Sequence, residues 1–268
     1  QSVKEYLDIM DHRKTEQLID TLDKVEQNRK ECYIREFSIE HFHDSKVFET
    51  LIPKICKIFR EENEELTGFE NEEILAEYQI YKTPGYVYMK GNVQIYSAGK
   101  QAADISAFPE GIAVAVGSEE DVPDICPDQT IDKVFTIENL TSFYRFKQEH
   151  SLVIYLGGYH NRSRRNLLMQ IYQKLPDAQY YHFGDLDAGG FYILEHLKRK
   201  TGISFQMFQM DIETLKKYED YAKPLTENDK KRLMQLEKME LPDEERKLIT
   251  YMLQKGIKLE QECISESQ

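Results

Sequence analysis

The stretch QYYHFGDLDAGG, residues 179–190, decides how this chain is read. An aromatic-rich run of five residues has the composition of a buried strand. Gly184 ends it, Asp185 and Asp187 follow with one residue between them, and Gly189-Gly190 leads into a helical pattern that runs to Lys200. The same grammar occurs upstream. Val134–Ile137 is an apolar strand running into Glu138-Asn139, and Ser142–Glu149 is a short helix. Leu152–Leu156 is a strand ending in Gly157-Gly158, and Arg164–Leu175 is a helix. Phe205–Met210 reads as a last strand, and after Asp211 the pattern is helical. Strands alternating with helices through short loops imply a parallel sheet covered on both faces. The expected fold is α/β over residues 129–268.

Outward from this segment the period changes. Residues 1–30 read as a polar helix, with Tyr6, Leu7, Met10, Leu18, Leu22 and Val25 as its sparse apolar positions. Residues 46–60 are a stronger helix: Val47, Phe48, Leu51, Ile52, Ile55, Ile58 and Phe59 form one apolar stripe, and Asp44 or Ser45 can cap it. Tyr86–Tyr96 predicts two strands joined by a turn at Gly91-Asn92, and Gly111–Val116 another short strand. Helices followed by a hairpin predict a smaller α+β, winged-helix-like domain over residues 1–128. The acidic stretch Ser118–Gln129, with two prolines, reads as the linker. The chain opens at Gln1 without an initiator Met and is expected to be part of a longer protein.

Composition excludes several classes. No run approaches the ~20 apolar residues of a membrane helix, so no membrane association is expected. Cys32, Cys56, Cys126 and Cys263 are scattered and form no CxxC pair, which argues against a zinc site and for a reducing, cytoplasmic setting. The net charge of −13 would by itself argue against a nucleic-acid partner. Its distribution reverses that reading. Residues 1–130 hold 14 Lys+Arg against 27 Asp+Glu, whereas residues 131–268 hold 21 of each. Much of the acidity lies between Glu61 and Glu77, the pattern of a solvated face or loop.

Ligands of open parallel sheets bind at the carboxyl ends of the strands. If the strands ending at Ile137 and Phe183 are neighbours, Glu138, Asp185 and Asp187 meet at one edge. Three such carboxylates repel one another unless a cation joins them. Mg²⁺ suits them, since it takes oxygen ligands and keeps several waters; Mn²⁺ is an alternative. Gly189 and Gly190 would let a phosphate approach the backbone at a helix N-terminus. Each signal has a bland counterpart: Asp-x-Asp is common in turns, and a Glu in the sequence IEN, as Glu138 is, is more often a helix cap than a ligand. Arg162, Arg164 and Arg165 open the next helix, where positive charge opposes the helix dipole. With Gly157 and Gly158 beside them, they make a candidate phosphate-binding strip.

These residues carry a resemblance. VFTIENLTSF, LGGYHNRSRRNLL, YYHFGDLDAGGFYILEHL and, near the end, KLEQECI resemble the JetD nuclease subunits of Wadjet plasmid-defence systems, which are related to the topoisomerase VI A subunit. REFSIEHFHDSKVFE resembles the segment before the family's Toprim domain. The resemblance covers roughly residues 33–265 and is densest over 134–195. It implies a Toprim-like catalytic domain in which Glu138, Asp185 and Asp187 hold Mg²⁺ and cut double-stranded DNA, and a preceding domain like the DNA-binding winged helix. It also implies a homodimer and an SMC-like, condensin-type motor complex as partner. Leu259-Glu-Gln-Glu262 matches the family's ending, which makes Glu262 a further candidate ligand. None of the 17 tyrosines sits in a matching motif, so hydrolysis by activated water is favoured over a tyrosyl–DNA intermediate. Two other readings stay open: a non-catalytic DNA-binding or scaffold subunit, and a nucleotide-sugar transferase that uses Asp-x-Asp to bind a metal and a diphosphate.

Overall fold

Apolar residues three and four apart decide the structure of the N-terminal part. The computed structural model describes residues 12–63, 66, 69–82, 85–116, 123–157 and 162–264. The chain divides into two compact units, Gln1–Gly85 and Tyr86–Gln268. In the first, α1 (His12–Gln27) buries Leu18, Thr21 and Val25, and β1 (Cys32–Tyr33) leads into α2 (Ile34–Phe42). The predicted stripe forms α3 (Val47–Glu62), which buries Phe48, Ile55, Cys56, Ile58 and Phe59. Then come α4 (Asn71–Glu77) and β2 (Ile80–Tyr81), which pairs in parallel with β1. Part of the acidic run serves α4: the Glu73 carboxylate accepts from the Glu70 backbone N–H at 2.6 Å, and acidic side chains in a first turn complement the helix dipole. Residues 1–11 of the predicted first helix lie outside the described residues.

The second unit starts where a hairpin is expected. Strands β3 (Gly85–Lys90) and β4 (Val93–Ser97) form on either side of Gly91-Asn92, yet they enter different sheets. The cause is local. Gly91 has φ +139°, and a Cβ there would overlap the Ser151 carbonyl oxygen, so the chain turns a corner against another strand instead of folding back. Strand β4 pairs antiparallel with β5 (Lys100–Asp104) and with β7 (Asp124–Pro127). Between these two, β6 (Ile112–Val116) joins the larger sheet. Four of the twelve residues of the expected linker therefore form a strand; Ile125 and Pro127 are its buried positions.

The remaining strands build the larger sheet: β8 (Lys133–Ile137), β9 (Ser151–Tyr155), β10 (Gln179–Phe183) and β11 (Gln206–Met207). Its order is β11-β10-β8-β9-β3-β6. The first four run parallel, as expected, but β3 is antiparallel to β9, so the sheet is mixed. Helices α5 (Leu140–Arg145), α6 (Arg162–Lys174) and α7 (Ala188–Thr201) connect the parallel strands. Both faces are buried. Val134, Leu152, Ile154 and Tyr180 pack with Leu167, Leu168 and Ile171 of α6, while Phe135, Ile137, Val153 and Phe183 pack on the other face. That second face is covered by α8 (Ile212–Lys217), α9 (Glu227–Leu236) and α10 (Asp243–Lys255), through Leu215, Leu233, Leu236, Leu248, Ile249 and Met252. Strand β12 (Lys223–Pro224) pairs with β13 (Ile257–Lys258), which turns the end of the chain back toward the sheet. Among the described residues no helix is long and apolar enough to cross a membrane.

A buried ion cluster ties α7 to α10. Lys198 bonds both Glu195, at 2.8 Å, and the buried Glu245. Burial pushes the Glu245 carboxyl up to about 7; Lys198 opposes this and Glu195 adds to it. A folded-state value above the ordinary 4.5 means that the stabilising contribution is complete below about pH 4.5 and is lost as the pH rises through about 7. We predict that Glu245→Gln flattens the fall in stability across that window, as read by chemical denaturation at several pH values. Parallel pH profiles for parent and variant would contradict the assignment.

Candidate metal centre

The parallel ladder between β8 and β10 sets the geometry. Thr136 lies opposite His182 and Ile137 opposite Phe183, so Glu138 leaves its strand beside the point where Gly184-Asp185 leaves the other. The Glu138 backbone N–H continues the ladder to the Phe183 carbonyl at 3.1 Å. Its carboxylate then crosses to the neighbouring loop, where Oε2 accepts from the Asp185 N–H at 3.1 Å. Gly184 makes this crossing possible, because a Cβ there would overlap Glu138 Oε2. The Glu138 side chain is 11% exposed, and Asp185 and Asp187 are half-buried. The structure thus brings Glu138, Asp185 and Asp187 to one sheet edge.

Their environments differ. Asp187 caps α7, its Oδ1 accepting from the Gly190 N–H at 2.9 Å, a role that sequence reading did not assign to it. At the other loop Asn139, not Glu138, is the cap, accepting from Ser142 N–H. Gly189 and Gly190 lie inside the first turn of α7. Asp185 accepts from the Gln261 backbone N–H at 2.6 Å. Burial pushes its carboxyl up to about 6; that bond opposes the shift, and the charges acting on it (Asp187, Glu260 and Glu262) are all negative.

His182 was not anticipated. It is fully buried, and desolvation lowers its ring to about 3, so it is neutral. The Thr136 hydroxyl lies within hydrogen-bond distance of both the Tyr181 carbonyl, at 3.1 Å, and His182 Nδ1, at 3.0 Å. Its Nε2 lies 3.9 Å from Glu138 Oε2, which with a neutral ring is no ion pair, and has no hydrogen-bond partner among the described residues. The Glu138 carboxylate and the half-buried Asp185, with Asp187, Glu260 and Glu262 adding negative charge nearby, offer oxygen donors of the kind a hard cation takes. Among the described residues no three His, Cys, Asp or Glu side chains stand close enough to cage a metal by themselves. The donor set fits Mg²⁺, which needs one or two carboxylates and completes its shell with water.

The other candidates are placed as follows. Glu262 is exposed and accepts from Asn139 Nδ2 at 2.6 Å. Arg164 is half-buried; its Nη1 donates to the Leu156 carbonyl, and its Nη2 to the Tyr86 carbonyl at 3.4 Å. Half-buried Arg165 lies close enough to His196 to help lower its pKa. Gly157 follows β9, while Gly158 and the side chain of Arg162 lie outside the described residues. Gln261, missed by sequence reading, is buried and bridges the two acidic loops.

Residues 120–268 match the family described as Wadjet protein JetD, C-terminal. The chain belongs to the JetD family. It is 28% identical over 263 residues to the Wadjet protein JetD of Bacillus cereus (strain Q1), an alignment covering 96% of this chain and 63% of that protein. The chain therefore spans just under two thirds of the length of this JetD relative.

Two predictions follow from the geometry alone. Asp185→Asn keeps the acceptor for Gln261 N–H and removes a charge from a negative field, so in EDTA it should melt higher than the parent at about pH 7.5, with the difference shrinking toward pH 4. An unchanged or lower melting temperature would count against the repulsion. Arg164→Ala should cost about 2 kcal/mol of stability, because its guanidinium bonds main-chain carbonyls. Unchanged stability would release Arg164 for other partners.

Proposed function

We propose that this chain carries the Mg²⁺-dependent DNA-cutting centre of a Wadjet defence system, in a Toprim-type arrangement. One observation carries the reading: Glu138 and the Asp185-x-Asp187 pair leave the carboxyl ends of adjacent parallel strands side by side, where burial and the charges of Asp187, Glu260 and Glu262 push the Asp185 carboxyl up. Membership of the JetD family supports it.

Glu138, Asp185 and Asp187 would hold the ion, with Mn²⁺ as a substitute; Glu262, fastened to Asn139, contributes charge nearby. When bound, the ion supplies Lewis-acid stabilisation of charge on a phosphate oxygen. The chain's own residues do the rest. Gly184 keeps the loop thin enough for the Glu138 carboxylate to reach across it. Asp187 holds the start of α7, whose N-terminal dipole favours an anion. Arg162 and Arg165, on the helix that follows Gly157 and Gly158, are offered to the DNA backbone, while Arg164 serves the fold. The proposed partners are double-stranded DNA, a second copy of the protein and an SMC-like, condensin-type motor complex, all in the cytoplasm.

The test is incubation of the protein, with and without its motor partner, with supercoiled plasmid in Mg²⁺, Mn²⁺ or EDTA. Metal-dependent nicking or linearisation is expected. Glu138→Gln and Asp185→Asn should each lower it by at least about 100-fold while remaining folded. Cleavage that persists in EDTA, or that survives Asp185→Asn, would overturn the proposal.

A further inference from the structure

The end of the described chain is hydrogen-bonded to both acidic loops. Leu259 exchanges two backbone hydrogen bonds with Leu186, at 2.9 and 3.1 Å, between the two aspartates. Two residues on, the Gln261 N–H donates to Asp185 Oδ1 at 2.6 Å, and the side-chain Oε1 of the same residue accepts from the Asn139 N–H at 2.9 Å. Glu262 then takes Asn139 Nδ2. Gln261 thus hydrogen-bonds to both loops, Glu138-Asn139 and Asp185–Asp187, and it is fully buried while doing so. Asn139 N–H fixes which end of the amide is oxygen. The other end, Nε2, is buried and has no hydrogen-bond partner among the described residues. Leaving such a donor unpaired is costly, which points to an oxygen that arrives when the centre is loaded.

We infer that Gln261 is a positioning residue of the centre: it sets the spacing between the Glu138 and Asp185 loops and presents Nε2–H to an oxygen of whatever the loaded centre holds. This rests on the metal-centre reading above. The chemistry of the side chain fits the task. An amide supplies the acceptor that Asn139 N–H needs without adding a charge to a field already made by Asp187, Glu260 and Glu262. A carboxylate would supply the same acceptor and add the charge. A thioether would fill the space and supply neither.

The experiment compares the parent with Gln261→Met and Gln261→Glu, using Mn²⁺ uptake followed by the EPR signal of the free ion, melting temperature in EDTA, and hydrogen exchange of peptides covering residues 138–140 and 185–188. Gln261→Met should weaken Mn²⁺ binding by about 10- to 100-fold, the range for residues that orient metal ligands, and should speed exchange in both loops. Gln261→Glu should hold or tighten Mn²⁺ binding while melting lower in EDTA. A merely structural role predicts no such opposition of sign. Should Gln261→Met fail to fold, Asn139→Ser, which keeps the helix cap and loses the bond to Glu262, should give a smaller loss in the same direction. Parent-like Mn²⁺ affinity and loop exchange in the Met variant would overturn the inference, as would a loss of melting temperature alone. If the parent itself takes up no Mn²⁺, the metal reading fails, and loop exchange by itself decides whether Gln261 positions the loops.

Discussion

The centre depends on one register. Strands β8 and β10 are paired in parallel over five residues, Lys133–Ile137 against Gln179–Phe183. Side chains alternate along a strand, so a slip of one residue would turn every side chain to the opposite face. It would separate Thr136 from His182, bring Glu138 level with the wrong loop and expose the rows that the two layers of helices cover. The burial of both faces is therefore what fixes the position of the carboxylates. Phe135 and Ile137 on one face and Val134 on the other hold the strand where Glu138 emerges at its end.

Given that register, the chemistry follows from crowding. The chain places acidic side chains where desolvation already disfavours charge, and backbone N–H groups help to hold them: Asp185 N–H on Glu138, Gln261 N–H on Asp185, Gly190 N–H on Asp187. Backbone donors orient a carboxylate without neutralising it.

Much of this was legible in the sequence. The α/β pattern, the four parallel strands and the placing of Glu138, Asp185 and Asp187 at strand ends all follow from apolar runs that stop at glycine or at an acidic residue. The failures have physical causes. The strands around Gly91 look like a hairpin because a glycine-asparagine pair usually folds a chain back; here a neighbouring strand presses on the glycine and sends the two arms into separate sheets. The segment Asp124–Pro127 reads as linker because its proline and acid outweigh two buried positions. His182 and Gln261 were invisible for a different reason. One polar residue in an aromatic strand, or in a polar tail, carries no period. Its meaning lies in partners 46 and 122 positions away.

Asp187 stands apart from the other carboxylates because one of its oxygens is already committed to the start of α7. The same side chain is thus a mechanical fastening and a candidate ligand, and the two duties are genetically linked. Removal of the side chain would fray the helix and thin the acidic cluster together, so alanine at this position would report a mixture. Asparagine caps helices as well as aspartate does but carries no charge. It is the allele that separates the two duties, leaving the helix fastened and the centre one charge poorer.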